Sequence, residues 1–237
     1  MITTVIMQPT YLPWVGYFDL MEQCDVFVFL DSVQFARRSW QQRNRIKTSD
    51  GELMLTVPVA SKGLRDQLIG ETRIDQTAAF EKKHVASLRA AYAKAPYYKN
   101  ISSGYQAVVD KKHEKIADLN IELIEWLAGA LGMQRKLIRS SSLVVSGKRS
   151  ELLLEICRAV GADHYLSPPG SKEYLEEDAL LGGNSDIKLL YHEYVPVEYS
   201  QLHGAFMPFM SAIDLVMNLS AEEALKTVKR GRRVEAR

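Results

Sequence analysis

Apolar residues in this chain gather into short runs separated by polar, proline-bearing loops. Thr4-Val5-Ile6-Met7 has the length and character of a buried strand, and Asp25-Val26-Phe27-Val28-Phe29-Leu30-Asp31 is a second such run. Between them, residues 17–24 read as a short helix. Strand, loop, helix and strand make a βαβ unit, whose crossover sets the two strands parallel. The connecting loop, Gln8-Pro9-Thr10-Tyr11-Leu12-Pro13-Trp14, is aromatic and polar. Its prolines fix φ and remove backbone donors, so it cannot prolong the strand. Gly16 then permits a close approach to the backbone. The loop and Asp31 lie at the carboxyl ends of the strands, where open α/β sheets hold their ligands.

Further along, residues 51–59 read as a third strand ended by Pro58, and residues 72–75 as a short one inside a loop. Residues 78–94 have helical spacing, stopped by Ala95-Pro96. The longest helical stripe runs over 105–131, with Ile116, Leu119, Leu123, Leu127 and Leu131 on one side and Gly132 as its C-cap. Alternation then returns. Lys136-Leu137-Ile138-Arg139, 163–167 and 187–194 read as strands, 151–160 as a helix, and Gly182-Gly183 as a turn. Two closing helices follow Ser211 and Ser220, both suited to N-caps. The expected fold class is α/β, a Rossmann-like, mainly parallel sheet in one domain. Residues 77–132 form an inserted helical lobe and 230–237 a flexible basic tail.

The composition suits that expectation: 237 residues, 46% hydrophobic and 25% charged, are ordinary for a globular α/β protein. No apolar run approaches the roughly 20 residues of a membrane span, and Ile2-Thr3-Thr4-Val5 opens without a basic signal-peptide region. The expected location is the cytoplasm, where Cys24 and Cys157 are read as buried thiols. The net charge of +1 gives no bulk attraction for polyanions. Local charge changes the picture more. Arg37, Arg38, Arg43, Arg45 and Lys47 fall within an acid-free run. Guanidinium forks match phosphate or carboxylate, so this run is the best anion site, and Arg43 is the position at which a bidentate grip is tested. Its bland alternative is a solvated charged face.

The order of the motifs resembles the WbqC-like family of bacterial proteins over nearly the whole length. The resemblance rests on Gln8-Pro9, Tyr11-Leu12-Pro13-Trp14, Gly16-Tyr17-Phe18, Asp31, Val33-Gln34-Phe35 and Arg43-Asn44-Arg45-Ile46-Lys47. Later pieces are Thr56-Val57-Pro58-Val59, Lys83-His84, Ala95-Pro96-Tyr97, Tyr165-Leu166-Ser167, Tyr174-Leu175, Gln201-Leu202-His203-Gly204 and Ser211-Ala212-Ile213-Asp214-Leu215. The chain departs from the pattern at Met7, where many relatives have histidine, at Phe80, and at Pro168-Pro169 in place of a glycine-richer turn. The resemblance implies a role beside surface-polysaccharide (O-antigen) or related biosynthetic genes, in which members have been proposed as glycine or aminoacyl transferases acting on amino sugars.

The residues suggest the parts such chemistry needs. Gln8, Tyr11 and Trp14 can hold a sugar or base by stacking and amide hydrogen bonds, or their aromatics can fill the core. Gln34, Arg38, Arg43, Asn44, Arg45 and Lys47 are read as substrate-binding, with Tyr97, Ser167 and Tyr174 from the resembling motifs. Asp31, His84 and His203 are the candidate proton acceptors, each with a capping or structural role as its alternative. The five histidines show no metal-ligand spacing, and no cofactor is assigned. The expected activity is aminoacyl or acyl transfer onto the amine of a sugar nucleotide or another phosphate-bearing small molecule. The donor is an aminoacyl-tRNA, a carrier-protein thioester or a preformed adenylate. Nucleotidyl transfer and non-catalytic sugar-nucleotide binding or assembly are the alternatives.

Overall fold

The computed structural model describes residues 1–60, 63–64, 66–178 and 185–233, with the side chain of Tyr174 outside that set. Strand β1 (Thr3–Met7) leads through α1 (Val15–Glu22) to β2 (Val26–Phe29), and β1 and β2 pair in parallel register from Thr4↔Val26 to Met7↔Phe29. Both strands are apolar without interruption because both faces of the sheet are covered. Val5, Phe27 and Phe29 point into one core, while Ile6, Val26 and Val28 point into the other.

The chain then leaves the sheet. Strands β3 (Arg43–Thr48) and β4 (Gly51–Thr56) form an antiparallel hairpin outside it, with Gly51 at φ +103° closing the turn. The run 51–59 therefore supplies a hairpin strand rather than a third strand of the sheet, and half of the basic segment is its partner. The hairpin's inward residues Ile46 and Leu55, and Val57 just beyond it, join the main core. Helices α2 (Phe80–Tyr92), α3 (Tyr98–Val109) and α4 (Ile116–Ala130) follow and contribute to that same core. The single stripe expected over 105–131 is two helices. The polar run Asp110-Lys111-Lys112-His113-Glu114-Lys115 offers no apolar position to continue it, and Lys112 turns into the left-handed region at φ +52°. Residues 72–75 make isolated bridges, not a strand of their own.

Strand β5 (Lys136–Arg139) pairs with β2, α5 (Ser150–Ala159) leads to β6 (His164–Ser167) beside β1, and β7 (Lys188–Tyr191) completes the sheet after α6 (Lys172–Asp178). The order β5-β2-β1-β6-β7 is parallel throughout, the doubly wound arrangement of a Rossmann-like fold. Strand order reverses between β1 and β6, which makes their carboxyl ends the topological switch point. Helices α7 (Ala212–Asn218) and α8 (Ala221–Arg230) start as expected, at Ser211 and at a Ser220/Glu223 capping box. Gly182-Gly183 lies outside the described residues.

Of the tail expected to be free over 230–237, the described part, through Arg233, is tied to the fold. Arg232 reaches Asp19 and Glu22 on α1, Lys229 reaches Glu22 at 2.8 Å, and the Arg233 amide bonds the Glu193 carbonyl at 3.0 Å. Those acids are what the sequence pattern could not place beside it. Residues 234–237 lie outside the described set. Cys24 and Cys157 are free and buried, and burial pushes both thiols up to about 12. No described helix is long and apolar enough to cross a membrane.

Candidate functional site

At the switch point, β1 ends in Met7 and the chain turns into the 8–14 loop, which is tied down from three sides. The Tyr11 amide donates to the Trp40 carbonyl at 2.9 Å, joining this loop to residues 36–42. Asn44 Nδ2 donates to the carbonyls of Tyr11 (3.2 Å) and Leu12 (2.8 Å). Asn120 of α4 donates from Nδ2 to the carbonyls of Pro9 (3.0 Å) and Gln41 (2.7 Å), locking both loops to the helix beneath. Satisfied in this way, the loops can leave side chains facing water.

Two adjoining chambers open between them. One, of about 370 Å³, lies across the ends of β1 and β6, lined by Gln8, Ser39, Gln41, Tyr165, Pro168 and Ser171 among others. The second, of about 290 Å³, is walled by Pro13, Trp14, Tyr17, Trp40 and Phe209, with Asn44 and Arg45. Met7, Thr10 and Trp40 line both, so the chambers form one cleft. Trp40 is 51% exposed and Phe209 47%, unusual for rings of that size. Gly16 explains how Trp14 reaches its place. A Cβ at position 16 would lie 2.4 Å from the indole, so only glycine lets the ring lie against the first turn of α1. Gly16→Ala is expected to lose about 1–2 kcal/mol through overpacking, measured by urea denaturation; an unchanged midpoint would show that the indole moves aside freely.

The cleft's charge is modest. Arg45 donates from Nη1 to both oxygens of Glu52 at 3.0 Å and from Nε to the Phe209 carbonyl at 3.1 Å, and lies 5.9 Å from the Trp40 ring centre. Gln8 accepts at Oε1 from Gln41 Nε2 at 2.8 Å, and its own amide N–H groups have no protein partner among the described residues. Among the described residues, no Asp, Glu, His or Cys lines either chamber. A larger open hollow of about 630 Å³ lies between β5 and α4, where Arg139–Asp118 and Lys111–Glu122 pair most of the charges and Glu125 is a further carboxyl that burial pushes up.

The sequence profile of the WbqC-like protein family matches residues 8–226. The chain belongs to that family. It is also 34% identical over 219 residues to the "uncharacterized protein Rv1507c" of Mycobacterium tuberculosis, covering 92% of this chain and 94% of that one. No solved structure matches it with significance.

The WbqC-like motifs divide between the cleft and its supports. Of the expected binding residues, Gln8, Trp14, Asn44 and Arg45 come together at the cleft. Ser167 stands behind it, buried at the end of β6, with Oγ donating to the Pro168 carbonyl at 3.3 Å. Tyr174 falls on α6. The others are held elsewhere. Tyr11 is fully buried, its hydroxyl bonded to His84 Nδ1 (2.8 Å) and the Tyr105 hydroxyl (2.7 Å). Lys47 is 2% exposed and donates from Nζ to the Gly204 and Ala205 carbonyls at 3.2 and 2.6 Å. Arg43 is half-buried on β3 and lines neither chamber, and Arg38 is an exposed residue of the 36–42 loop. Gln34 is exposed and bonds Asp66 at 3.3 Å. Tyr97 opens α3 at the surface, its amide on the Met217 carbonyl.

The three candidate proton acceptors are engaged in the fold. Asp31 is buried, and its carboxylate accepts from the Ser140 hydroxyl (3.1 Å), the Ser141 amide (2.9 Å) and the Ser141 hydroxyl (2.8 Å). It ties β2 to the turn after β5, the structural alternative. His84 is buried against Phe80 and Tyr11, and burial holds its imidazole down at about 4, so it is neutral. His203 donates from Nε2 to the Ala91 carbonyl at 2.7 Å. Sequence reasoning passed over Trp40, Thr10 and Phe209. Trp40 did carry a signal: it stands alone in Arg38-Ser39-Trp40-Gln41-Gln42-Arg43-Asn44, with no apolar neighbour in sequence to pack on.

Proposed function

We propose that this WbqC-like protein binds a sugar nucleotide, or a similar phosphate-bearing intermediate of surface-polysaccharide biosynthesis, and holds its amine for aminoacyl or acyl transfer. The observation that carries the reading is the two-chamber cleft at the switch point, aromatic on one side and amide- and hydroxyl-lined on the other. Such walls suit ring stacking beside hydrogen-bonded hydroxyls. In the reaction a neutral amine attacks the carbonyl of an activated thioester, ester or acyl adenylate. The carbon–nitrogen bond forms, the thiolate, alkoxide or nucleoside monophosphate departs, and the amine's extra proton passes to solvent or to the leaving group. The described lining supplies no carboxylate or imidazole, so the protein's contribution is orientation, which alone can remove several kcal/mol of barrier. Met7, where many relatives are expected to carry histidine, puts a thioether where the cleft's two chambers join.

The same lack of an acid–base group in the described lining favours, as a second reading, a binding or assembly protein without chemistry of its own. Metabolite mass spectrometry of the intact gene cluster with and without this gene separates the two. Loss of an amino-sugar acylation on deletion supports transfer, and an unchanged acylation pattern leaves only the binder. For the cleft itself, Trp40→Ala is expected to weaken nucleotide-sugar binding about tenfold, since one stacked ring contributes about 1–3 kcal/mol. Stability should change by no more than about 1 kcal/mol, because about half of the residue is already in water. Calorimetric titration at fixed salt checks it, and unchanged affinity would remove Trp40 from the site.

A further inference from the structure

Among the described residues other than glycine, seven have φ in the left-handed region. Four of them sit in the three loops around the cleft: Leu12 (+43°), Arg38 (+56°), His203 (+65°) and Phe209 (+60°). A bulky side chain is strongly disfavoured there, and such strain persists only where the surroundings over-determine it. At Phe209 the determinants are the two cations of the WbqC-like basic motif. Arg45 Nε holds the Phe209 carbonyl at 3.1 Å, and the Arg45 carbonyl accepts from the Ser211 amide at 3.0 Å. Lys47 grips the same loop further back, at Gly204 and Ala205. Trp14 bridges Ser211 backbone to backbone, and its ring lies 5.4 Å from that of Phe209. These contacts hold a half-exposed phenylalanine in a backbone conformation that favours glycine, and burial of its ring does not account for them.

We propose that Phe209 contacts the ligand, and that Phe209, Trp14 and Trp40 form a stacking clamp for a planar heteroaromatic ring, the nucleobase of a nucleotide. The inference rests on the cleft being the ligand site of the proposed function, and it names which part of the ligand goes where. The chamber's 290 Å³ stands at the lower end of the roughly 300–1,000 Å³ of small-molecule sites, room for one ring system rather than a whole nucleotide sugar. Phosphate does not suit this chamber, because the Arg45 charge is already met by Glu52. Thr10 and Arg45 both line the chamber, and Arg45 Nη2 and Thr10 Oγ1 have no protein partner among the described residues, so they offer a donor and a hydroxyl for the ring's edge. The sugar and phosphates then extend past Trp40 toward Gln8 and Ser171 in the second chamber.

The test titrates the full-length protein with uridine monophosphate, adenosine monophosphate and ribose 5-phosphate, using wild type, Phe209→Tyr, Phe209→Ala and Phe209→Gly, with melting temperatures recorded alongside. At least one nucleoside monophosphate should bind about tenfold or more tighter than ribose 5-phosphate, as stacking requires. Phe209→Tyr should keep that affinity, and both truncations should lose about tenfold. Phe209→Gly should melt above Phe209→Ala, because glycine relieves the positive φ. That combination, backbone relieved and binding lost, marks a residue strained for its ligand. Wild-type affinity in Phe209→Gly, or a melting order reversed between the two truncations, would overturn the proposal. Equal binding of ribose 5-phosphate and the nucleotides would overturn the clamp yet leave the cleft as the ligand site. If none of the three binds while an intact nucleotide sugar does, the clamp is likewise overturned; if nothing binds, the proposed function falls with it.

Discussion

Replacing Arg232 with alanine is expected to destabilise the protein by about 3 kcal/mol, the lower end of what removing one partner from a buried ion pair costs. Asp19 has no exposed surface. One carboxylate oxygen accepts from Arg232 Nε and Nη2 at 3.2 and 3.0 Å, and the other takes His192 Nε2 at 2.8 Å and Gln23 Nε2 at 2.7 Å. Arg232 also bonds Glu22 at 2.5 Å, whose second oxygen meets Lys229. Burial pushes the Glu22 carboxyl up, but the bonds from Lys229 and Arg232 outweigh it and hold the group below the ordinary carboxylate range. Without the guanidinium, Asp19 keeps its two neutral-capable partners and loses its permanent countercharge. Arg232→Lys should recover only part of the loss, because a point charge cannot fork across both acids. Urea denaturation at pH 7 reads both variants. A loss under about 1 kcal/mol for Arg232→Ala would show instead a solvent-screened surface pair. The effect should also reach the cleft, since Tyr194, which pairs with Arg232 through the backbone, packs edge-on against Trp14 at 5.5 Å.

The second large effect is acid sensitivity from His84. Burial lowers its imidazole to about 4 from an ordinary 6.5, with the Thr56 carbonyl opposing the shift only in part. Between those values the unfolded chain binds a proton that the folded chain does not, so stability must fall as pH falls. The contribution is fully present above about pH 6.5, declines through the window, and is lost below about pH 4. Linkage puts the loss at about 2 kcal/mol at pH 5 and about 3 kcal/mol at pH 4. Asp214 works in the opposite direction, because burial raises its carboxyl despite hydrogen bonds from Tyr199 and Tyr92. The difference between wild type and His84→Gln at each pH isolates the histidine. Parallel stability–pH curves for the two proteins would mean that His84 is protonated in the folded state or reached by water.

The features that the sequence alone determined are those whose causes are local. Apolar runs of strand length and a proline-closed loop specify β1, α1 and β2 within thirty residues, and their parallel pairing follows from the crossover between them. Strand Lys136–Arg139, the Ser211 cap and the capping box at Ser220 are likewise written in neighbouring residues. The cleft was legible in outline, because polar groups at strand ends must gather where the strand order reverses. What each polar group does there was decided only by tertiary structure. Asn44, Arg45 and Lys47 announce charge and hydrogen-bonding capacity, yet Lys47 spends its donors on carbonyls 157 and 158 residues away and Arg45 on one 164 residues away. Asp31 finds its donors 109 and 110 residues along the chain. A long side chain reaches whatever acceptor the fold brings near, and desolvation forces it to take one. For the same reason Trp40 and Phe209 escaped notice as a pair, since only the fold brings rings 169 positions apart into the lining of one chamber.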